Sequence, residues 1–162
     1  MIKALETQYN GILFRSRLEA RWAIYLDSLS VEYVYEPECF ILNNGLKYTP
    51  DLYLPEYDVY IEIKPNNESL SQAYHTDRWE SFCRLSKKNL CVFIGYPSCK
   101  VFPLYYHENL IYEQKTIGAV FCPLSKYAPF FLSGHELLSM EDGFDEEHKE
   151  ALLAVKKHRF WN

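Results

Sequence analysis

The chain has no long apolar run, no signal-peptide pattern and no basic amphipathic leader. The expectation is a soluble, cytoplasmic protein with no membrane partner. It has no Cys-x-x-Cys. Its five cysteines, Cys39, Cys83, Cys91, Cys99 and Cys122, are an odd number without metal-ligand spacing. They predict buried, reduced thiols in place of a disulfide framework or a zinc site. The five histidines (His75, His107, His135, His148 and His158) also lack ligand spacing. There is no Gly-rich phosphate loop, zinc-finger pattern or Gly-x-Ser-x-Gly elbow, so nucleotide-hydrolysing and serine-hydrolase readings have no support. Positive charge is in deficit: 17 Lys and Arg against 22 Asp and Glu give a net −5. That argues against a protein that coats nucleic acid indiscriminately, because phosphate neutralisation drives such binding. No repeat, low-complexity segment or second-domain linker is visible, and 162 residues fit one domain with a full core.

What the chain does have is aromatic and acidic. Tyrosine alone accounts for 14 residues, spread along the sequence, and reads first as core and hairpin packing. The acids matter at one place. Val59-Tyr60-Ile61-Glu62-Ile63-Lys64 alternates with period two, so Val59, Ile61 and Ile63 share one face and Tyr60, Glu62 and Lys64 the other. Asp51-Leu52-Tyr53-Leu54 is also strand-like, and Pro55-Glu56-Tyr57-Asp58 makes a four-residue hairpin loop between the two. That loop pairs Leu54 with Val59 and, counting outward, Asp51 with Glu62. Directly opposed residues have Cβ atoms about 4.5–5.5 Å apart, and like charges there repel. A divalent cation between them is the natural remedy. Mg²⁺ takes oxygen ligands, commonly one or two carboxylates with water and phosphate, and it lowers the pKa of a bound water. Lys64, on the face of Glu62, is placed to orient that water or to offset transition-state charge.

Pro50-Asp51 followed by Glu62-Ile63-Lys64 resembles the PD-(D/E)xK nuclease superfamily. The likeness extends upstream to residues 14–23, which look like that family's first helix. It spans roughly residues 9–95 in element order. The resemblance implies an α+β domain over residues 1–162 with an α-β-β-β-α-β core, a mixed central sheet flanked by helices, and a C-terminal elaboration from about residue 96. It implies a Mg²⁺-dependent endonuclease, with Mn²⁺ able to substitute, acting on DNA as a homodimer or with a partner protein. Glu19, Asp51, Glu62 and Lys64 become the catalytic set. Asp51, Glu62 and the carbonyl of Ile63 become metal ligands, and Glu19 completes the acidic cluster through water.

The pattern along the chain can be read more finely. Residues 16–29 form a helix with Leu18, Trp22, Tyr25, Leu26 and Leu29 on one stripe. Glu19 lies only about 20° round the wheel from Leu26, where a carboxylate needs a partner. Ser16-x-x-Glu19 also fits a capping box. Residues 31–42 read as one β-rich run, which Asn43-Asn44-Gly45 turns into 46–54. Pro50 marks an edge or a bulge that re-aims Asp51. A second helix covers 72–88, with Trp79, Phe82 and Leu85 inside. The apolar run 90–94 reads as a strand parallel to the Glu62 strand. Residues 100–106 and 116–122 read as strands, 127–138 as core cover, and 145–160 as a helix whose end charges suit its dipole.

Arg15 and Arg17, at the entrance to the first helix, are placed to hold a scissile-strand phosphate. Glu36 reads either as a further metal or water contact or as a solvated edge carboxylate. Gln72 is a candidate polar contact from the second helix. Two other classes compete with the nuclease: a nuclease-like fold serving as a nucleic-acid-binding or protein-binding regulatory module, and a glycosidase, which also uses paired carboxylates. Lys64 and the small α/β core weigh against the glycosidase.

Overall fold

An Asn-Gly pair starts the architecture. Asn10 and Gly11 both adopt positive φ, +48° and +78°, and turn β1 (Thr7–Tyr9) back on β2 (Ile12–Phe14). This is the twist that two-residue hairpins favour. A computed structural model describes residues 4–66, 78–97, 100–104, 106–107, 110–111, 119–120 and 141–160. Helix α1 (Arg17–Ser28) follows β2 directly. Ser16 is its N-cap, and its Oγ accepts from the Glu19 N–H at 3.1 Å. A cap of this kind stabilises a helix by about 1 kcal/mol.

The central sheet is mixed, which places the chain in the α+β class. Among the described residues its six strands run in the order β12 (Ala119–Val120), β9 (Lys100–Leu104), β8 (Asn89–Ile94), β7 (Val59–Lys64), β6 (Leu52–Leu54) and β3 (Val34–Tyr35). Only β7 and β8 are parallel. The register of β6 on β7 is as the hairpin count requires: Leu54 opposes Val59 and Leu52 opposes Ile61. Pro55–Tyr57 forms a single 3₁₀ turn, and Asp58 closes it at φ +47°. The strand expected over 90–94 is present and parallel to β7.

Period-two alternation sorts the core into layers. Val59, Ile61 and Ile63, with Cys91 and Phe93, pack against Trp22, Tyr25 and Leu26 of α1 and against α3 (Glu141–Lys157). On the opposite face Tyr60, Leu90 and Val92 pack against Trp79, Phe82 and Cys83 of α2 (Arg78–Ser86). A separate ribbon, β4 (Phe40–Ile41) with β5 (Lys47–Tyr48), adds Leu42 and Tyr48 to that second layer. Two short strands, β10 (Tyr106–His107) and β11 (Leu110–Ile111), pair with each other. Among the described residues no helix is long and apolar enough to cross a membrane.

Several expectations are corrected. Residues 31–42 are not one strand: Glu36 sits at φ +44° beside Pro37, so the chain leaves the sheet after β3 and re-forms as the ribbon. Pro50 is buried between β5 and β6, where the chain passes from ribbon to sheet, and is not a bulge within one ladder. Leu85 is 44% exposed, and Cys83 takes the inner position instead, one helical turn from Trp79. The last helix begins at Glu141, before residue 145. Cys39 is exposed, whereas Cys83 and Cys91 are buried free thiols as expected. Gln72 and the 127–138 segment lie outside the described residues, as do Cys99 and Cys122.

Candidate metal centre

Glu62 is 5% exposed in the middle strand of the sheet. A carboxylate taken out of water needs donors, and it has two. Tyr48 donates its hydroxyl to Oε2 at 2.7 Å. The Lys64 ammonium donates to Oε1 and pairs with it ionically. Strand alternation explains the second contact, because Lys64 is the next residue on the face of Glu62. Nζ of Lys64 also lies 5.9 Å from the centre of the Trp79 ring.

Asp51 stands just beyond the last β6–β7 pair, opposite Glu62 by register. Its neighbour-but-one, Tyr53, packs in the layer of Tyr60, so alternation puts Asp51 and Glu62 on one sheet face. Where the ladder stops, the carboxylate takes over: the N–H of Ile63 donates to Asp51 Oδ2 at 2.6 Å. The backbone of Asp51 is fixed too, since its carbonyl accepts from Glu36 N–H at 2.9 Å. Burial pushes the Asp51 carboxyl well above the usual carboxylate range, and the charge of Glu62 pushes the same way. The Ile63 N–H opposes this, Glu19 adds to the rise, and Lys64 offsets part of it. Two acids held in one field, one of them forced towards its neutral form, is what an oxygen-ligated divalent cation relieves. The donor set of Asp51, Glu62 and the Ile63 carbonyl fits such an ion in kind and number.

Glu19 is bound differently from the expectation. Oε1 accepts from Ser16 Oγ at 2.6 Å and Oε2 from Tyr35 Oη at 2.8 Å. The Tyr35 hydroxyl in turn accepts from the Arg15 N–H at 2.9 Å. Glu19 therefore serves the helix cap while lying within electrostatic reach of Asp51. Among the described residues no three His, Cys, Asp or Glu side chains come close enough to ligate one ion. The two carboxylates that share one field are those of Asp51 and Glu62.

The arginines occupy two kinds of position. Arg15 is 70% exposed at its side chain and forms a 2.7 Å ion pair with Glu36. Glu36 thus has a cation as its partner. The Arg17 guanidinium lies over the ring of Phe160, 5.7 Å from its centre, and Arg21 lies 5.2 Å from that of Tyr96.

Sequence reasoning missed the tyrosines. Tyr48 binds Glu62, Tyr35 binds Glu19, Tyr9 binds Asp27, Tyr53 binds Asp58 and Tyr60 binds Glu38. The signal was a tyrosine-rich, acid-rich chain: a carboxylate withdrawn from water, as Glu62 and Glu19 are, needs a donor, and a phenol supplies one while filling apolar space. Burial and the facing Glu62 raise the Tyr48 phenol well above its ordinary pKa, so it stays a donor at neutral pH. No protein-family model, curated protein or solved structure matches this chain.

Proposed function

We propose that this chain is a divalent-metal-dependent nuclease that hydrolyses phosphodiester bonds in DNA. The observation that carries the reading is the Asp51–Glu62 pair: two acids on one sheet face, with Asp51 anchored by the Ile63 N–H and its carboxyl driven towards the neutral form. A structural role does not require two acids to be crowded in this way. Asp51, Glu62 and the carbonyl of Ile63 would hold Mg²⁺ or Mn²⁺. When bound, the ion supplies a water activated for attack on phosphorus and neutralises charge on the phosphoryl oxygens. Lys64 then orients the nucleophile or meets the charge of the transition state. Arg15 guides the backbone of the strand to be cut. A mixed sheet flanked by helices, in the general α+β class, is compatible with this reading, although the β4–β5 ribbon interrupts the expected run of three strands.

One observation favours a second reading, a nuclease-like binding module without turnover. All four carboxylate oxygens of Glu19 and Glu62 already have partners within the protein. A substrate panel decides between the two. Linear, circular, branched and single-stranded DNA, and RNA, are incubated with Mn²⁺ and with chelator, alongside Asp51→Ala. Metal-dependent cleavage by wild type and none by the variant supports the nuclease. Binding without cleavage of any substrate supports the module.

A further inference from the structure

We propose that Tyr48 is a positioning residue of the acid pair: its hydroxyl pins Oε2 of Glu62, so that Oε1 can exchange the Lys64 ammonium for a divalent cation. This rests on the nuclease reading and adds to it a residue and an order of events.

The two acids are built alike. Each has one oxygen held by a fixed donor, Ile63 N–H for Asp51 and Tyr48 Oη for Glu62. The second oxygen differs. Oδ1 of Asp51 has no hydrogen bond among the described residues, whereas Oε1 of Glu62 is occupied by Lys64. For the pair to hold a divalent cation, that oxygen would have to be free, and Lys64 would have to give it up. Without a second anchor, the flexible glutamate would follow the ammonium, because their attraction in a buried site is strong. Tyr48 supplies the anchor.

Tyr48 is suited to this. It is 3% exposed, and its ring packs edge-on against Phe82 at 5.2 Å between centroids. Leu42 and Trp79 share its layer. The ring is packed within that layer, which holds its hydroxyl on Glu62. Lys64 has somewhere to go. Its ammonium already lies near the face of Trp79 and its side chain is 24% exposed, so it can rotate towards an arriving phosphate and keep a favourable contact. Tyr48 also stands three residues before Asp51, so one short segment orients both acids.

The test compares Tyr48→Phe with Phe82→Leu, which loosens the same layer and leaves the hydroxyl in place. Mn²⁺ affinity is measured by calorimetry and by the spin-resonance signal of free Mn²⁺. Cleavage is followed at saturating metal. Loss of an outer partner to a metal ligand costs roughly tenfold to a hundredfold in metal affinity. That loss is expected for Tyr48→Phe, with kcat reduced and the KM for DNA unchanged. Phe82→Leu should melt earlier and bind Mn²⁺ like wild type. Equal Mn²⁺ affinity in Tyr48→Phe and wild type overturns the proposal, and so does an equal loss in both variants. A Tyr48→Phe chain that cannot fold overturns it too, since the hydroxyl would then be structural. Mn²⁺ binding that Asp51→Ala abolishes and Tyr48→Phe leaves untouched removes Tyr48 alone. Absence of Mn²⁺ binding in wild type removes the nuclease reading and this proposal together.

Discussion

Ile63 donates its backbone N–H to the side chain of Asp51 at 2.6 Å, across the open end of the β6–β7 hairpin. A carboxylate here completes a ladder that the backbone leaves unfinished. The bond favours the charged form of Asp51, yet burial and Glu62 outweigh it and the carboxyl is driven up. The metal-free protein thus holds an acid that would be better off neutral.

The pH dependence of stability follows from that. An acid whose folded pKa exceeds its unfolded value contributes stability that is present below the ordinary value of 3.8 and is lost as pH rises through the raised one. We predict that metal-free wild type loses melting temperature, relative to Asp51→Asn, as pH climbs from about 4 towards neutrality. Asp51→Asn should equal or exceed wild type in stability at pH 7 without metal. It should lose the stabilisation that Mg²⁺ confers on wild type. Melts across pH, with and without Mg²⁺, check both parts. A large loss of stability in Asp51→Asn at pH 7 would show that its hydrogen bond to Ile63 outweighs the crowding.

Lys64→Ala tests the chemistry. Removing one electrostatic stabiliser costs on the order of a hundredfold to a thousandfold in rate. Single-turnover cleavage should fall by that order, while DNA binding measured in Ca²⁺ holds. Lys64→Arg should rescue only in part, since a planar fork does not replace a compact ammonium. Cleavage at the wild-type rate by Lys64→Ala would remove the lysine from the mechanism.

Arg15 is paired with Glu36 at 2.7 Å. An exposed pair of this kind is worth about 0.2–1 kcal/mol. Glu36→Gln should therefore tighten DNA binding a few-fold, and Arg15→Ala should weaken it and flatten its dependence on salt. Fluorescence anisotropy at several salt concentrations reads both. Weaker binding by Glu36→Gln would mean that Glu36 contacts the substrate side of the site directly.

Thiol reactivity checks the burial pattern. Cys83 is pushed up to about 12 by burial, and Cys91 is raised by the same cause, whereas Cys39 is exposed. Brief alkylation of the native protein followed by peptide mapping should label Cys39 and spare Cys83 and Cys91. Early labelling of Cys91 would contradict the packing of β8 between two layers.

Periodicity carried the reading a long way where local pattern and tertiary demand agreed. The β7 segment alternates cleanly because one face meets α1 and the other α2, so its register on β6 and the Asp51–Glu62 opposition were legible. The parallel pairing of β8 was legible for the same reason, as a run buried on both sides. The break after Tyr35 was not. It depends on a left-handed Glu36, a conformation that glutamate seldom adopts, and the one local signal for it, Pro37, marks a break without giving its direction. The Asn10-Gly11 hairpin carries a strong local signal, an Asn-Gly pair between two short strands. Glu19 showed a capping signature and a site signature at once, and the hydrogen bonds satisfy the cap. The phenol partners stayed hidden because a tyrosine's ring and its hydroxyl obey different rules, and sequence pattern reports the ring.

The backbone of Gly95 ties the end of β7 to the middle of α1. Its N–H donates to the Lys64 carbonyl at 2.8 Å, and its carbonyl accepts from the Trp22 indole at 3.0 Å. During synthesis the acid hairpin, residues 51–62, can close as soon as it emerges. The clasp that seats α1 against the end of that strand must wait until residue 95 has left the ribosome. Non-local closure of this sort is slow relative to hairpin formation. A nascent chain would then hold α1 on the hairpin by apolar contacts alone, and the clasp would close in a later step. Arrested chains ending before and well past residue 95 provide the check: protection of the Trp22 region in the shorter ones would show that α1 seats without Gly95.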